Sequence, residues 1–146
     1  MALPKHLRLE FVTPERSIVH DDVDEIELPG EDGDLGVLPG HTPLLAALRT
    51  GVLWYRKGNE KQFAFVAGGF VEVLPDRVTV LADAAERAEE IDAAGSRAGV
   101  DKAQKEMAAA MGNPAADWDH VLQDVAAANT RLEVAGHAGG AGTAAH

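Results

Sequence analysis

Leu28-Pro29-Gly30-Glu31-Asp32-Gly33-Asp34-Leu35-Gly36-Val37-Leu38-Pro39-Gly40 sets three turn dipeptides, Pro29-Gly30, Asp32-Gly33 and Pro39-Gly40, within a single short stretch. Proline fixes φ and lacks a donor, and glycine favours turns, so no helical period of useful length fits between them. Just upstream, Ile26 and Leu28 alternate with Glu25 and Glu27; further back, Leu7, Leu9 and Phe11 alternate with Arg8 and Glu10. This is the period of strands buried on one face. Downstream the punctuation recurs at Lys57-Gly58-Asn59, Gly68-Gly69 and Pro75-Asp76. Short alternating runs so spaced predict an antiparallel sandwich or barrel. In the run from Gly51 to Lys57, Leu53 and Tyr55 point inward if Arg56 points outward, and Trp54 then faces out. The Gly68-Gly69 pair reads as a bulge or tight bend rather than a ligand cradle.

The pattern changes near Asp83. Residues 84–146 hold 20 alanines and residues 1–83 only 6, whereas Val, Ile, Phe, Trp, Tyr and Thr number 8 and 22 in the same two parts. A strand-rich domain, 1–83, is therefore expected before a helical one, 84–135. Asp83-Ala84-Ala85-Glu86 has the spacing of a capping box, which predicts a helix from there to about Met111, weakened in its middle by Gly95 and Gly99. Gly112-Asn113-Pro114 supplies a stop, a cap and a first-turn proline. Trp118, Val121, Leu122, Val125 and Leu132 then follow a helical stripe, giving an antiparallel helix pair. Residues 136–146 carry neither charge nor a large apolar side chain and are expected to be disordered.

Composition removes several classes of function. Thirteen basic against 24 acidic residues give a formal net charge of −11, which argues against nucleic acid or an anionic membrane surface as a partner. The absence of cysteine excludes disulfides, a thiol nucleophile and Cys-ligated metal. No apolar run approaches the ~20 residues that span a bilayer, and the N-terminus lacks a signal core, so a soluble chain is expected. The six histidines, at 6, 20, 41, 120, 137 and 146, have no metal-ligand spacing, and no phosphate-binding loop or nucleophile elbow occurs. No metal site and no catalytic residue is expected. Residues 21–34 hold eight acids, Asp21, Asp22, Asp24, Glu25, Glu27, Glu31, Asp32 and Asp34, and no base. Such a run is ordinarily a solvated face, and the competing reading is a dock for a basic partner.

The segment from Leu28 to Leu44, followed by Phe65-Val66-Ala67-Gly68-Gly69-Phe70-Val71-Glu72-Val73 and Val78-Thr79-Val80-Leu81-Ala82-Asp83, resembles the epsilon subunit of F-type, proton-translocating ATP synthases, the counterpart of the mitochondrial delta subunit. The helical part matches more loosely, through Asp117-Trp118 opening the second helix and Arg131-Leu132-Glu133-Val134 near its end. The resemblance implies a mainly β fold with an α appendage: a ten-stranded antiparallel β-sandwich followed by a two-helix hairpin. It also implies a non-catalytic rotor-stalk subunit that couples rotation of the c ring to ATP synthesis. The implied partners are the gamma subunit, the c ring and the alpha and beta subunits. The implied location is the cytoplasmic face of a bacterial plasma membrane, touched only through the c ring. Glu31, Asp32, Asp34 and His41 are then expected at the c ring, and Trp54 under gamma.

In bacterial and plastid relatives the hairpin brakes ATP hydrolysis, and in some it binds ATP through Ile-Asp-x-x-Arg-Ala. Here Ile91-Asp92 is followed by Gly95 at the arginine position, Arg97 comes two residues late, and Glu133 stands where relatives carry arginine. Ile91, Asp92, Arg97 and Arg131 are the nucleotide-contact candidates, with weak inhibition and poor affinity for ATP as a regulatory ligand expected; no other cofactor is implied. The rival readings are a free-standing β-sandwich binding module using Trp54 and the acidic turn, and a hydrolase built on paired carboxylates.

Overall fold

The computed structural model describes residues 3–138. Ten strands come first: β1 Leu7–Val12, β2 Ser17–Val23, β3 Glu25–Gly30, β4 Gly33–Val37, β5 Leu44–Leu48, β6 Gly51–Lys57, β7 Glu60–Val66, β8 Gly69–Val73, β9 Arg77–Ala82 and β10 Ala85–Arg87. They are hydrogen-bonded in the order β10-β7-β6-β3-β5-β8-β9-β1-β2, with β4 paired to β3. All pairings are antiparallel except β1 with β9. β3 passes between two layers, pairing with β6 through Glu25, Ile26 and Glu27 and with β5 through Gly30. The path nearly closes, since β10 touches β2.

The alternation read from the sequence is the alternation that fills the core. Leu7, Leu9, Phe11, Ile26, Leu28 and Leu53 are fully buried, and half-buried Tyr55 packs against them. Desolvation raises the Tyr55 phenol above its ordinary pKa. The Gly68-Gly69 pair makes the bend expected of it. Gly69 sits at φ +123, and a Cβ there would lie 2.2 Å from the Leu81 carbonyl oxygen. Only glycine lets the start of β8 lie this close to β9.

The helix expected from Asp83 does not start there. Residues 85–87 instead form β10, with Ala85, Glu86 and Arg87 opposite Val66, Phe65 and Ala64 of β7. The backbone edge of β7 needs partners, and ladder pairing with it outweighs a local helix signal. The sheet thus extends past Asp83. A single 3-10 turn, Ala88–Glu90, follows. Helix α1, Ala93–Ala110, then begins with the Asp92 carboxylate accepting the Ala94 N–H at 3.1 Å. It is continuous through Gly95 and Gly99, against the weak middle expected. Gly95 lies in the first turn, where a Cβ would come 2.9 Å from Asp92 Oδ2, so this glycine makes room for the cap.

Pro114 does not open the second helix. Residues 113–116 form a turn in which the Asn113 side chain accepts the Ala115 N–H at 3.0 Å. Asp117 caps α2, Trp118–Ala135, accepting from the His120 N–H. The two helices pack on each other, but the apolar stripe is only partly covered. Trp118 and Leu122 are 40% and 53% exposed, whereas Val134 and Ala135 are buried. The C-terminal half of α2 rests on the outer face of β6 and β7, forming a second cluster with Phe65, Ala88 and Ile91. Of the tail expected to be disordered, residues 136–138 carry a turn, and the His137 ring stacks on Phe63 at 3.8 Å. Residues 139–146 lie outside the described residues.

Candidate interaction surfaces

The acidic run divides into partnered and unpartnered members. Asp21 accepts from Lys57 Nζ at 2.8 Å, Asp22 from Arg8 at 3.2 Å, Glu25 from Arg56 Nε at 3.0 Å and Glu27 from Trp54 Nε1 at 2.6 Å. Asp24 accepts the Gly58 N–H at 2.7 Å and lies 2.9 Å from His6 Nδ1. These contacts hold Asp21, mainly through Lys57, and Asp24, mainly through the Gly58 amide, below the usual carboxylate range. Asp34 meets Arg49 Nη2 at 2.5 Å. Among the described residues this leaves Glu31 and Asp32 exposed at the β3–β4 tip without a side-chain partner.

The tip is a two-residue turn closed by Gly30 opposite Gly33. Gly33 is at φ +138, and a Cβ on Gly30 would lie 2.4 Å from the Gly33 carbonyl oxygen. Glycine at both ends therefore fixes how far Glu31 and Asp32 project. His41 does not join them. It follows the far end of β4, beside Gly40, whose N–H donates to the Pro75 carbonyl at 2.7 Å, and its Nδ1 lies 2.6 Å from the Thr42 carbonyl oxygen. The four residues grouped from the sequence thus sit at opposite ends of a strand of about 15 Å.

Trp54 faces outward as read, but it is half-buried by its own chain. Glu27 receives its N–H, and Lys61 Nζ stands 4.0 Å over its ring. With Thr130 and Glu133 of α2 it lines one groove. The bare apolar surface lies on the other layer. Ala47, Phe70, Leu81 and Val12 face one another in register across β5, β8, β9 and β1, with Phe70 58% and Leu81 54% exposed and Leu45 beside them at 73%. The sequence reading missed this row. Its signal was present in Val80-Leu81-Ala82, where consecutive apolar residues must serve both faces of one strand.

The nucleotide candidates do not converge. Ile91 is buried in the second cluster, Asp92 is occupied as the α1 cap, and Arg97 is exposed. Arg131 points both Nε and Nη2 at Glu86 Oε1, each at 2.8 Å, with its guanidinium 5.9 Å from the Phe65 ring centroid. The groove between the helices is lined by Lys102 and Arg131 but also by Glu106 and Asp124, so its charge is balanced. The segment between β10 and α1 carries a two-armed ion pair. Arg16 donates through Nη1 and Nη2 to Glu90 at 2.6 and 2.9 Å, and the Arg87 N–H donates to the same carboxylate. Chiefly through Arg16, the Glu90 carboxyl is held at about 2.

Among the described residues no cluster of histidines and carboxylates could hold a metal ion, and no helix is long and apolar enough to cross a membrane. Residues 6–88 match the family model described as the ATP synthase delta/epsilon chain β-sandwich domain. The ATP synthase epsilon chain of Solibacter usitatus is 51% identical over 104 residues, covering 71% of this chain and 78% of the relative. That of Anoxybacillus flavithermus is 44% identical over 105 residues, covering 72% and 78%. Among solved structures, a chain in the Euglena gracilis mitochondrial ATP synthase matches with TM-score 0.73 at 22% identity, over 93% of this chain and 84% of that one. At that identity the likeness is one of fold.

Proposed function

We propose, for a chain that belongs to the ATP synthase delta/epsilon family, the role of the epsilon subunit in the rotor stalk, without catalytic groups of its own. The observation that carries the reading furthest is the apolar row on the outer face of the β5-β8-β9-β1 layer. Its mate on the β6-β7 layer is covered by the chain's own α2, whereas among the described residues this one is exposed. A contiguous exposed apolar patch of this kind marks a docking surface. The gamma subunit is its occupant in this reading. Trp54, already served by Glu27 and Lys61, borders α2 and is at most a flank of that contact.

Glu31 and Asp32 project from the tip with no partner of their own, and Asp34 is shared with Arg49. They would face the basic loops of the c ring, each exposed pair adding about 0.2 to 1 kcal/mol and weakening in salt. His41 belongs to another end of the sandwich and leaves this surface. The chain would then sit peripherally on the cytoplasmic side of a bacterial membrane, touching it only through the c ring.

The hairpin would act as a weak brake toward the alpha and beta subunits. Residues 84–146 hold five bases and ten acids, and two of those bases are engaged within the chain, Arg87 with Glu90 and Arg131 with Glu86. Arg97, Lys102 and Lys105 are left to meet an acidic partner. ATP would bind poorly for the same reason.

The test is capture of gamma by the tagged chain. The wild type should retain gamma, and Phe70→Asp with Leu81→Asp, outward positions that leave the core intact, should lose it. Retention by the double variant would overturn this placement of gamma.

A further inference from the structure

We propose that Arg49 is a positioning residue for the acidic tip. Its guanidinium reaches across β3 to Asp34 and ties the outer strand β4 to the β5–β6 turn, so that Glu31 and Asp32 project from a stiff base and Asp34 serves the tie rather than the contact. The inference rests on the reading that this tip meets the c ring. β4 needs a tie because it is paired with β3 alone. Its far end is anchored by buried Val37 and half-buried Leu35, whereas Gly33, Asp34 and Gly36 are exposed. Among the described residues, the bond from Arg49 Nη2 to Asp34 Oδ1, at 2.5 Å, is the one side-chain hydrogen bond that β4 makes. An edge segment with few buried contacts opens locally with ease, and a tip on such a base would yield under load instead of transmitting it.

The β5–β6 turn is built to hold the arginine. The Arg49 N–H donates to the Pro29 carbonyl and the Glu31 N–H to the Ala47 carbonyl, each at 2.9 Å, and Gly30 pairs with Leu48. β3 is thus fastened to the end of β5 on both sides of Gly30. Pro29 stands opposite Asp34 on its other edge, so Arg49 and Asp34 flank the same residue and their side-chain bond spans it. The second arm, Nη1, donates to the Thr50 carbonyl at 3.2 Å and holds the fork in place. Gly51 leaves the room, since a Cβ there would lie 2.6 Å from Pro29 Cβ and 3.0 Å from Arg49 Nη1. Glu27 and Glu133 line the same groove as Arg49, yet neither hydrogen-bonds to it. Of the three carboxylates at hand, Arg49 takes the one on the strand that lacks a second neighbour.

Arg49→Gln separates position from charge. It keeps all three acids and removes the cation beside them, so a tip acting by charge alone should hold basic loops as well or better, whereas a tip that needs its base should couple less well. In the isolated full chain, protection of the amides of residues 30–35 from hydrogen exchange should fall about 1.5-fold to 5-fold in Arg49→Gln and in Asp34→Asn, the range of an exposed ion pair. The double variant should lose no more than either single one, the difference should shrink in about 1 M salt, and Arg49→Lys should restore part of the protection. Wild-type protection in both single variants, or losses that add in the double variant, would overturn the tie. In reconstituted complexes Arg49→Gln should lower the ratio of protons pumped to ATP hydrolysed, and Arg49→Lys should recover most of it. If Glu31→Lys with Asp32→Lys lowers that ratio while Arg49→Gln leaves it at or above the wild-type value, the positioning role falls and the tip contact stands. If neither variant changes it, the tip contact falls and takes the positioning role with it.

Discussion

Gly69 shows how one residue decides a corner of this fold. A Cβ there meets the Leu81 carbonyl oxygen at 2.2 Å, on a backbone at φ +123. Gly69→Ala should therefore cost about 2 to 4 kcal/mol, through strain and displaced backbone, read as a lowered urea midpoint; a midpoint within 0.5 kcal/mol of wild type, roughly that of an ordinary surface change, would contradict it. Glu90 gives a second residue-level expectation. Its carboxyl is lowered from 4.5 to about 2 in the folded chain, so its contribution is fully present above about pH 4.5 and disappears as the pH falls toward 2. The stability gap between wild type and Arg16→Gln should accordingly be widest near neutrality and shrink through that window. A gap independent of pH would assign Arg16 some other role. At this scale much was legible: Leu53 inward and Trp54 outward follow from alternation alone. What covers Trp54 was not, because Glu27 and Lys61 reach it only through strand pairing.

Among the elements, the strands were readable and the start of α1 was not, while the resemblance at Asp117-Trp118 did mark where α2 opens. Asp83-Ala84-Ala85-Glu86 satisfies the spacing of a capping box, yet a sequence contains no record that β7 lacks a neighbour on its outer edge. It was the resemblance that grouped His41 with the acidic tip, and the structure sets the length of β4 between them. The glycines of α1 separate local from tertiary effects. Nothing lies within 4 Å of a Cβ added at Gly99, whereas one at Gly95 meets the Asp92 cap at 2.9 Å. Gly99→Ala should raise stability by roughly 0.5 to 1 kcal/mol, and Gly95→Ala should gain nothing or lose. Thermal unfolding of the two variants side by side checks this, and an equal gain from both would dismiss the cap argument. The hairpin's own apolar contribution to its hold on the sandwich is small, since from α2 it consists of Val134, Ala135 and partly covered Ala127.

For the whole molecule, the surfaces divide the work. One sheet face is kept for the chain's own hairpin, the other is bare and apolar, and the acidic tip projects from the end of β3. Where the helical part begins also changes how the brake should be tested. Cutting after Asp83 would strip β10 from the sheet, so truncation belongs after Ile91, where the sandwich's hold ends. In a reconstituted complex that truncation should raise ATP hydrolysis by less than about twofold, as the acidic hairpin implies; a rise of tenfold would contradict the weak brake. The central claim is that the chain transmits rotation through its acidic tip. The ratio of protons pumped to ATP hydrolysed tests it most directly, in complexes carrying the wild type or Glu31→Lys, Asp32→Lys and Asp34→Lys together. A ratio that falls in the triple variant while hydrolysis persists is the expected result, and an unchanged ratio would contradict the account.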